Sequence, residues 1–224
     1  MYNLNSKTDH FQAIIFDLDG TLLNTLDDIA ESVNRTLKEY RLPLHDSKAY
    51  GFFIGDGWKT LVTRALAETD RSERLIAECV ARSRQIYQGN WNRETRLYDG
   101  IAELLDELTK KQIPLAVLSN KPHEFLLRCV DFYLKKWRFE VLIGQSDSFP
   151  LKPDPASALE AARRIGLPPS AFLFIGDSGV DIRTANAAGM HSVGAVWGFR
   201  GVKELEENGC RTLVQHPLDI LSLL

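Results

Sequence analysis

A doubly wound α/β sheet of parallel strands, carrying one inserted α-helical subdomain, is the fold class this sequence predicts. Three observations lead there. Short runs that are apolar at nearly every position recur along the chain, as expected of strands buried on both faces. Helical patterns separate them, which implies βαβ units with right-handed crossovers. Between about residues 24 and 93 the alternation stops, and only helical patterns remain.

Taken in order, the first strand is "AIIF" at 13–16, and it runs directly into "DLDGTLLNT". Leu26, Ile29, Val33, Leu37 and Tyr40 then mark one buried helical face. A second helix is expected from Trp58 to about Glu68 and a third from about Glu73 to Tyr87. The next βα units follow. Ile101, Leu104, Leu105 and Leu108 keep the i, i+3, i+4, i+7 spacing of a helix, and "IPLAVLS" (113–119), "FEVLIG" (139–144), "AFLFIG" (171–176) and "HSVGAV" (191–196) read as strands. Asp154 and Pro155 suit the N-cap and first position of a helix over "ASALEAARRIG", with Gly166 as its stop. The division expected is a catalytic core of residues 1–22 plus 95–224 and a helical cap of residues 23–94. The two crossings, near 22–25 and 94–98, would form a hinge that lets the cap move over the sheet.

Composition narrows the partners. The 224 residues carry 27 basic and 30 acidic side chains, a formal net charge of -3, which gives no electrostatic case for nucleic acid or an anionic membrane as main partner. No apolar run approaches the roughly 20 residues of a membrane-spanning helix. The first ten residues, "MYNLNSKTDH", are polar and lack the apolar core of a secretory signal. Cys79, Cys129 and Cys210 form no metal-ligand or paired spacing, and neither do the five histidines, so buried thiols in a reducing compartment are expected. A cytoplasmic protein, monomer or homodimer, is the expectation.

In open α/β sheets the ligand site lies outside the carboxyl ends of the strands. Collecting the polar residues there gives Asp17 and Asp19 after the first strand and Ser119-Asn120-Lys121 after the second. Lys152 follows the third strand through "QSDSFPLKPDP", and "GDSGVD" after the fourth brings Asp177 and Asp181. Carboxylates in such a group suit Mg²⁺, which takes oxygen ligands and keeps positions for water and a substrate phosphate. A hydroxyl, backbone N–H groups and an ammonium suit the phosphate itself. One carboxylate can then attack phosphorus and a second, two residues on, can carry the proton. Simpler roles exist for each: an Asx turn for Asp17–Asp19, a helix cap for Ser119–Asn120, and a first-turn acid for Asp181.

"DLDGT" after an apolar strand, then "LSN", "KP" and "GDSGVD", resemble in order the four motifs of the haloacid dehalogenase-like phosphohydrolases. With "NTLDDIAESVN", "FFIGDGWKTLVTRAL" and "GDSGVDIRTANAAGM", the chain looks most like phosphoglycolate phosphatases and their relatives. The resemblance implies Asp17 as nucleophile and Mg²⁺ ligand, and Asp19 as general acid/base with its carbonyl on the metal. It implies Ser119 and Asn120 at the phosphate, Lys152 binding phosphate and offsetting Asp17, Asp177 on the metal, and Asp181 behind it or orienting Lys152. In the cap, Gly51, Gly55 and Gly57 permit a tight loop, and Lys59 or Arg64 would contact a second anionic group or else lie on a solvated face. The expected activity is hydrolysis of a small phosphorylated metabolite, phosphoglycolate first. The alternatives within the superfamily are a beta-phosphoglucomutase-like sugar-phosphate mutase, which would share Asp17 and Asp19, an inorganic pyrophosphatase or a phosphonate hydrolase. A dehalogenase would not need Asp19, and a phospho-accepting receiver module would lack both that second acid and the helical cap. A catalytically dead interaction protein would not need the set intact.

Overall fold

The computed structural model describes residues 11–224, so the polar amino-terminal segment and His10 lie outside the described residues. Among the described residues six parallel strands form one sheet in the order β5-β4-β1-β6-β7-β8. They are β1 (Ala13–Phe16), β4 (Leu115–Pro122), β5 (Val141–Gln145), β6 (Phe172–Gly176), β7 (His191–Ala195) and β8 (Thr212–Val214). Strand β1 is central and fully buried, paired with β4 on one side and β6 on the other.

An all-apolar strand makes sense because alternate residues serve two cores. Ile14 and Phe16 join Val117, Leu173 and Ile175 under Ile101, Leu104, Leu105 and Leu108 of α5 (Ile101–Lys110). Ala13 and Ile15 face the opposite layer with Phe172 and Phe174, against α7 (Ala156–Ile165) and α8 (Gly179–Ala187). Helices on both faces give the doubly wound architecture. Because the chain passes from β1 to β4 and β5, then returns to β6 on the other side, the strand order reverses at β1, and the crevice opens there.

Four helices, α1 (Leu26–Glu39), α2 (Ser47–Phe53), α3 (Trp58–Ala65) and α4 (Glu73–Asn90), pack around their own apolar cluster of Ile29, Val33, Tyr50, Trp58, Leu61, Val62, Cys79 and Tyr87. Phe125, from α6 (His123–Cys129) after β4, enters that cluster from the sheet side. The two crossings lie side by side as a two-residue antiparallel ribbon, β2 (Leu23–Asn24) against β3 (Arg96–Leu97). Asp28, fully buried, ties them together: its carboxylate accepts from the backbone N–H groups of Arg93, Glu94 and Thr95 at 2.9–3.1 Å and from the Thr95 hydroxyl at 2.7 Å.

Several details differ from the sequence reading. Helix α2 was not expected. It is one of the shorter helices, started by Asp46, whose carboxylate accepts from the Ala49 N–H at 2.9 Å. Gly51 lies inside it, so the tight turn rests on Gly55 and Gly57 alone, with φ of 122° and 86°. Strand β4 continues through Ser119, Asn120 and Lys121 to Pro122, with a register shift against β5 between Leu118 and Pro122. Helix α9 (Val202–Glu207) and the short edge strand β8 carry too few residues for a periodic pattern. Helix α7 begins one residue later than expected, with Pro155 rather than Asp154 at the N-cap position, although Asp154 still accepts from the Ala156 N–H at 2.9 Å; Gly166 ends the helix at φ 82°, as expected.

Candidate active site

Beyond β1, the Asp17 N–H donates to the Ile175 carbonyl, extending the sheet by one residue. Leu18 then turns inward, fully buried, and its carbonyl accepts from the N–H groups of Thr21, Leu22 and Leu23. That turn leaves Asp17 and Asp19, on either side of Leu18, facing the crevice. Gly20 and Gly198 are required here by space, since a Cβ at either would collide with Asp177.

Lys152 is the centre of the site. Its buried ammonium donates to Asp17 Oδ1 at 2.8 Å, to Asp181 Oδ1 at 2.6 Å and to the Leu118 carbonyl at 3.1 Å, which occupies all three protons. Asp181 takes the Ser178 N–H and hydroxyl on its other oxygen, at 3.1 and 2.6 Å. It therefore both caps α8 and orients Lys152, so the two readings open for it in the sequence coexist. Asp177 Oδ2 accepts from the Phe199 N–H at 2.7 Å, and its Oδ1 from the Thr21 hydroxyl at 3.3 Å.

Asp19 has a separate holder. Its Oδ1 accepts from Lys121 Nζ and from the Thr25 hydroxyl, both at 2.8 Å. Lys121 is buried, with its ammonium 4.9 Å from the centre of the Tyr87 ring of α4. The register shift in β4 places Ser119 at the crevice, its Oγ accepting from the Lys121 N–H at 3.2 Å. Asn120 is spent on backbone: Nδ2 donates to the carbonyls of Gly55 (2.9 Å) and Lys152 (3.1 Å), and Oδ1 accepts from the Lys152 N–H (2.9 Å). The crevice is lined by Asp17, Asp19, Ser119, Asn120, Lys121 and Pro122 from the sheet, and by Ile29, Ile54, Gly55, Gly57, Trp58 and Leu61 from the helical layer.

The electrostatics call for a cation. Burial pushes the Asp17 carboxyl up to about 7, against the pull of Lys152, and the carboxylates of Asp181 and Asp19 add to the rise. Burial likewise lifts Asp177 well above the carboxylate range, with Asp181 and Asp17 contributing. Burial opposes the charge on Lys152 and Lys121, yet Asp17 and Asp181 in one case and Asp19 in the other outweigh it and hold both ammonium groups above their ordinary range. Carboxylate oxygens of Asp17, Asp177 and Asp181 lie within 4.8 Å of one another. Four carboxylates against two ammonium groups leave a formal surplus of two negative charges, and an all-oxygen donor set with that surplus fits a hard divalent cation.

Of the two roles open for Lys59 and Arg64, a contact with an anionic group or a solvated face, the crevice lining includes neither residue. Lys59 is exposed and pairs with Glu73 at 3.2 Å, on the outer face of α3. Arg64 turns back on its own layer, bonding Asp56 at 2.6 Å and the carbonyls of Phe52 and Phe53 at 3.4 and 3.2 Å. The sequence reading collects Lys121 at a strand end but gives it no role, and it does not single out Thr25 or the Phe199–Arg200 segment. Lys121 stood in view within "SNK", but nothing in its spacing pointed to Asp19, 102 residues away.

The strand ends of a doubly wound parallel sheet thus gather carboxylates around a buried lysine, under a layer of helices. The chain belongs to the haloacid dehalogenase-like hydrolases, whose family model matches residues 14–195. It is 34% identical over 195 residues to a phosphoglycolate phosphatase of Mannheimia succiniciproducens, covering 84% of this chain and 87% of that protein. A phosphoglycolate phosphatase of Haemophilus influenzae is 32% identical over 220 residues, covering 96% of this chain and 98% of the relative. Among solved structures, a predicted phosphoglycolate phosphatase from Haemophilus somnus superimposes with a TM-score of 0.88 at 31% identity, covering 96% and 98% of the two chains. A Lactobacillus delbrueckii chain shares the fold at a TM-score of 0.90 and 24% identity, over 96% of this chain and 99% of its own.

Proposed function

We propose that the chain is a Mg²⁺-dependent phosphomonoesterase that hydrolyses a small phosphorylated metabolite, phosphoglycolate first, through an aspartyl-phosphate on Asp17. Residues 23–94 are its cap and residues 1–22 plus 95–224 its catalytic core. One observation carries the reading: Asp17, Asp19, Ser119, Lys152 and Asp177 come from four strand ends to one buried, negatively surplus place beside the crevice. The relatives named above share the family and the length over which these residues are spread.

Lys152 holds Oδ1 of Asp17, which leaves the other oxygen to attack phosphorus. The bond from phosphorus to the ester oxygen breaks, its electron pair departs with that oxygen, and Asp19 supplies the proton. Water then attacks phosphorus, Asp19 takes a proton from it, and the bond to Asp17 breaks to release phosphate. Lys121 and Thr25 both grip Oδ1 of Asp19, so its second oxygen is the one placed to exchange the proton. The Ser119 hydroxyl, whose oxygen already accepts from Lys121 N–H, donates its own proton to a phosphate oxygen. Mg²⁺, held by Asp17, Asp177 and the Asp19 carbonyl, would offset the surplus charge that otherwise repels a phosphate dianion.

The test is Asp17→Asn. Phosphate release from phosphoglycolate and from p-nitrophenyl phosphate should fall by at least about 10⁴-fold. Chelation of divalent ions should silence the natural protein, with Mg²⁺ restoring it. Turnover by the variant near the natural rate would remove Asp17 as nucleophile.

A further inference from the structure

Away from the hinge, cap and sheet meet through a short segment after β7 that the catalytic steps leave unused. Residues 197–200 read Trp-Gly-Phe-Arg. Trp197 Nε1 donates to the Thr21 carbonyl at 3.0 Å, anchoring the segment beside the turn after β1. The Phe199 N–H sits on Asp177 Oδ2, while its side chain packs against the apolar cluster of the cap. Arg200, whose side chain is only 9% exposed, then crosses to the cap itself. Its Nη2 donates to the carbonyls of Ile54 at 2.8 Å and Phe52 at 3.0 Å, and its guanidinium lies 5.4 Å from the centre of the Phe52 ring. Glu204 approaches the same guanidinium at 3.7 Å.

From the opposite side of the crevice, Asn120 donates to the next free carbonyl, that of Gly55. Three carbonyls at the end of α2 and in the turn after it, those of Phe52, Ile54 and Gly55, are thus held by Arg200 of the segment after β7 and by Asn120 of β4. This turn presents Ile54, Gly57 and Trp58 to the crevice. Its two glycines, at φ of 122° and 86°, lower the cost of other backbone shapes, so the turn keeps one shape only where it is held. Arg64 braces it from within the cap, and Asn120 and Arg200 brace it against the catalytic core.

We propose that Arg200 and Asn120 are positioning residues that clasp the Phe52–Gly57 turn over the crevice and so restrict the enzyme to small phosphate esters. With the clasp closed, Ile54, Trp58 and Leu61 bound the space for the leaving group, and this apolar wall excludes water from the carboxylates. Each arm of the clasp is joined to a catalytic group. Arg200 follows the residue whose N–H holds Asp177, and Asn120 holds the backbone of Lys152 on both sides. Closing the turn therefore sets the metal-side and phosphate-side groups together. A bulky aryl ester needs the turn displaced, whereas a small ester needs it closed. The inference rests on the phosphomonoesterase reading for its substrate consequence, but the clasp is a separate physical fact of the cap.

The experiment compares the natural protein with Arg200→Ala and Arg200→Lys in two measurements. Amide hydrogen exchange at residues 52–58 should quicken by about tenfold in Arg200→Ala, with α5 and β6 unchanged. The ratio of kcat/KM for phosphoglycolate to that for p-nitrophenyl phosphate should fall by at least about tenfold. Arg200→Lys, which keeps charge but loses the fork, should lie between on both readouts. Unchanged exchange at 52–58, or equal losses for the two esters, would overturn the clasp. If the natural protein hydrolyses neither ester with Mg²⁺, the phosphatase reading falls instead, and the exchange measurement alone decides the clasp.

Discussion

The two walls of the crevice are made differently. On the sheet side most charged groups sit in buried ion pairs: Lys152 with Asp17 and Asp181, and Lys121 with Asp19. On the cap side the lining is Ile29, Ile54, Trp58, Leu61 and the backbone of Gly55 and Gly57, while the cap's ion pairs, such as Lys59–Glu73 and Arg82–Glu39, lie on its outer surface. Charges buried in pairs cannot lose one member cheaply, whereas exposed pairs contribute little. The sheet wall is therefore held by buried charge pairs, and the cap wall offers shape rather than charge. That contrast is the part of the structure most open to attack by substitution.

The largest stability effect is expected at its centre. Lys152→Met leaves Asp17 and Asp181 facing each other and empties three hydrogen-bond positions at once. Breaking a buried pair from one side costs on the order of 3–5 kcal/mol, so urea unfolding of the metal-free variant should show a loss of that size. Hydrolysis should vanish with it. A loss under about 1 kcal/mol, the scale of exposed pairs, would mean that the sheet wall is no more rigid than the cap.

The two crossings come next. Asp28→Asn keeps the shape of the side chain but turns one of its acceptor oxygens into a donor, facing the N–H groups of Arg93, Glu94 and Thr95. A buried hydrogen-bonded carboxylate replaced in this way should cost about 2–3 kcal/mol and raise amide exchange at residues 93–95. If the ribbon of β2 and β3 alone held the crossings, exchange there would not change.

Asp28 also shows where sequence reasoning reached and where it stopped. The carboxylates of the crevice were legible because each follows an apolar run, and a parallel sheet puts all such strand ends on one side. Asp27 and Asp28, by contrast, stand side by side in the first turn of α1, and nothing in their spacing tells them apart. Which of them is buried depends on residues 65–67 positions later. Arg200 meets Phe52 and Ile54 across 148 and 146 positions, with no periodicity at either end to announce it. Helix α2 escaped because seven residues are too short a window for a 3.6-residue pattern, and Gly51 within it weighs against a helix. Pattern reports which face a side chain occupies. It does not report which distant backbone group that side chain will meet.

The smallest effects lie on the cap, and there two residues of α3 divide the question. Lys59, in an exposed pair with Glu73, should tolerate Lys59→Ala with a stability change below about 0.5 kcal/mol. Its substrate preference should also stay within about twofold, since its ammonium lies on the outer face, whereas side chains around the active site shift selectivity by much more. Arg64→Ala removes the brace from Asp56 and from the carbonyls of Phe52 and Phe53, so it should cost about 1–2 kcal/mol and loosen the same turn that Arg200 holds. The two substitutions delete the same formal charge a turn and a half apart on one helix. If cap charge selected the substrate, they would act alike. If the cap selects by the shape of the turn, only Arg64→Ala moves the ratio between phosphoglycolate and p-nitrophenyl phosphate, in the direction that Arg200→Ala moves it and by less, because the two braces from the sheet remain.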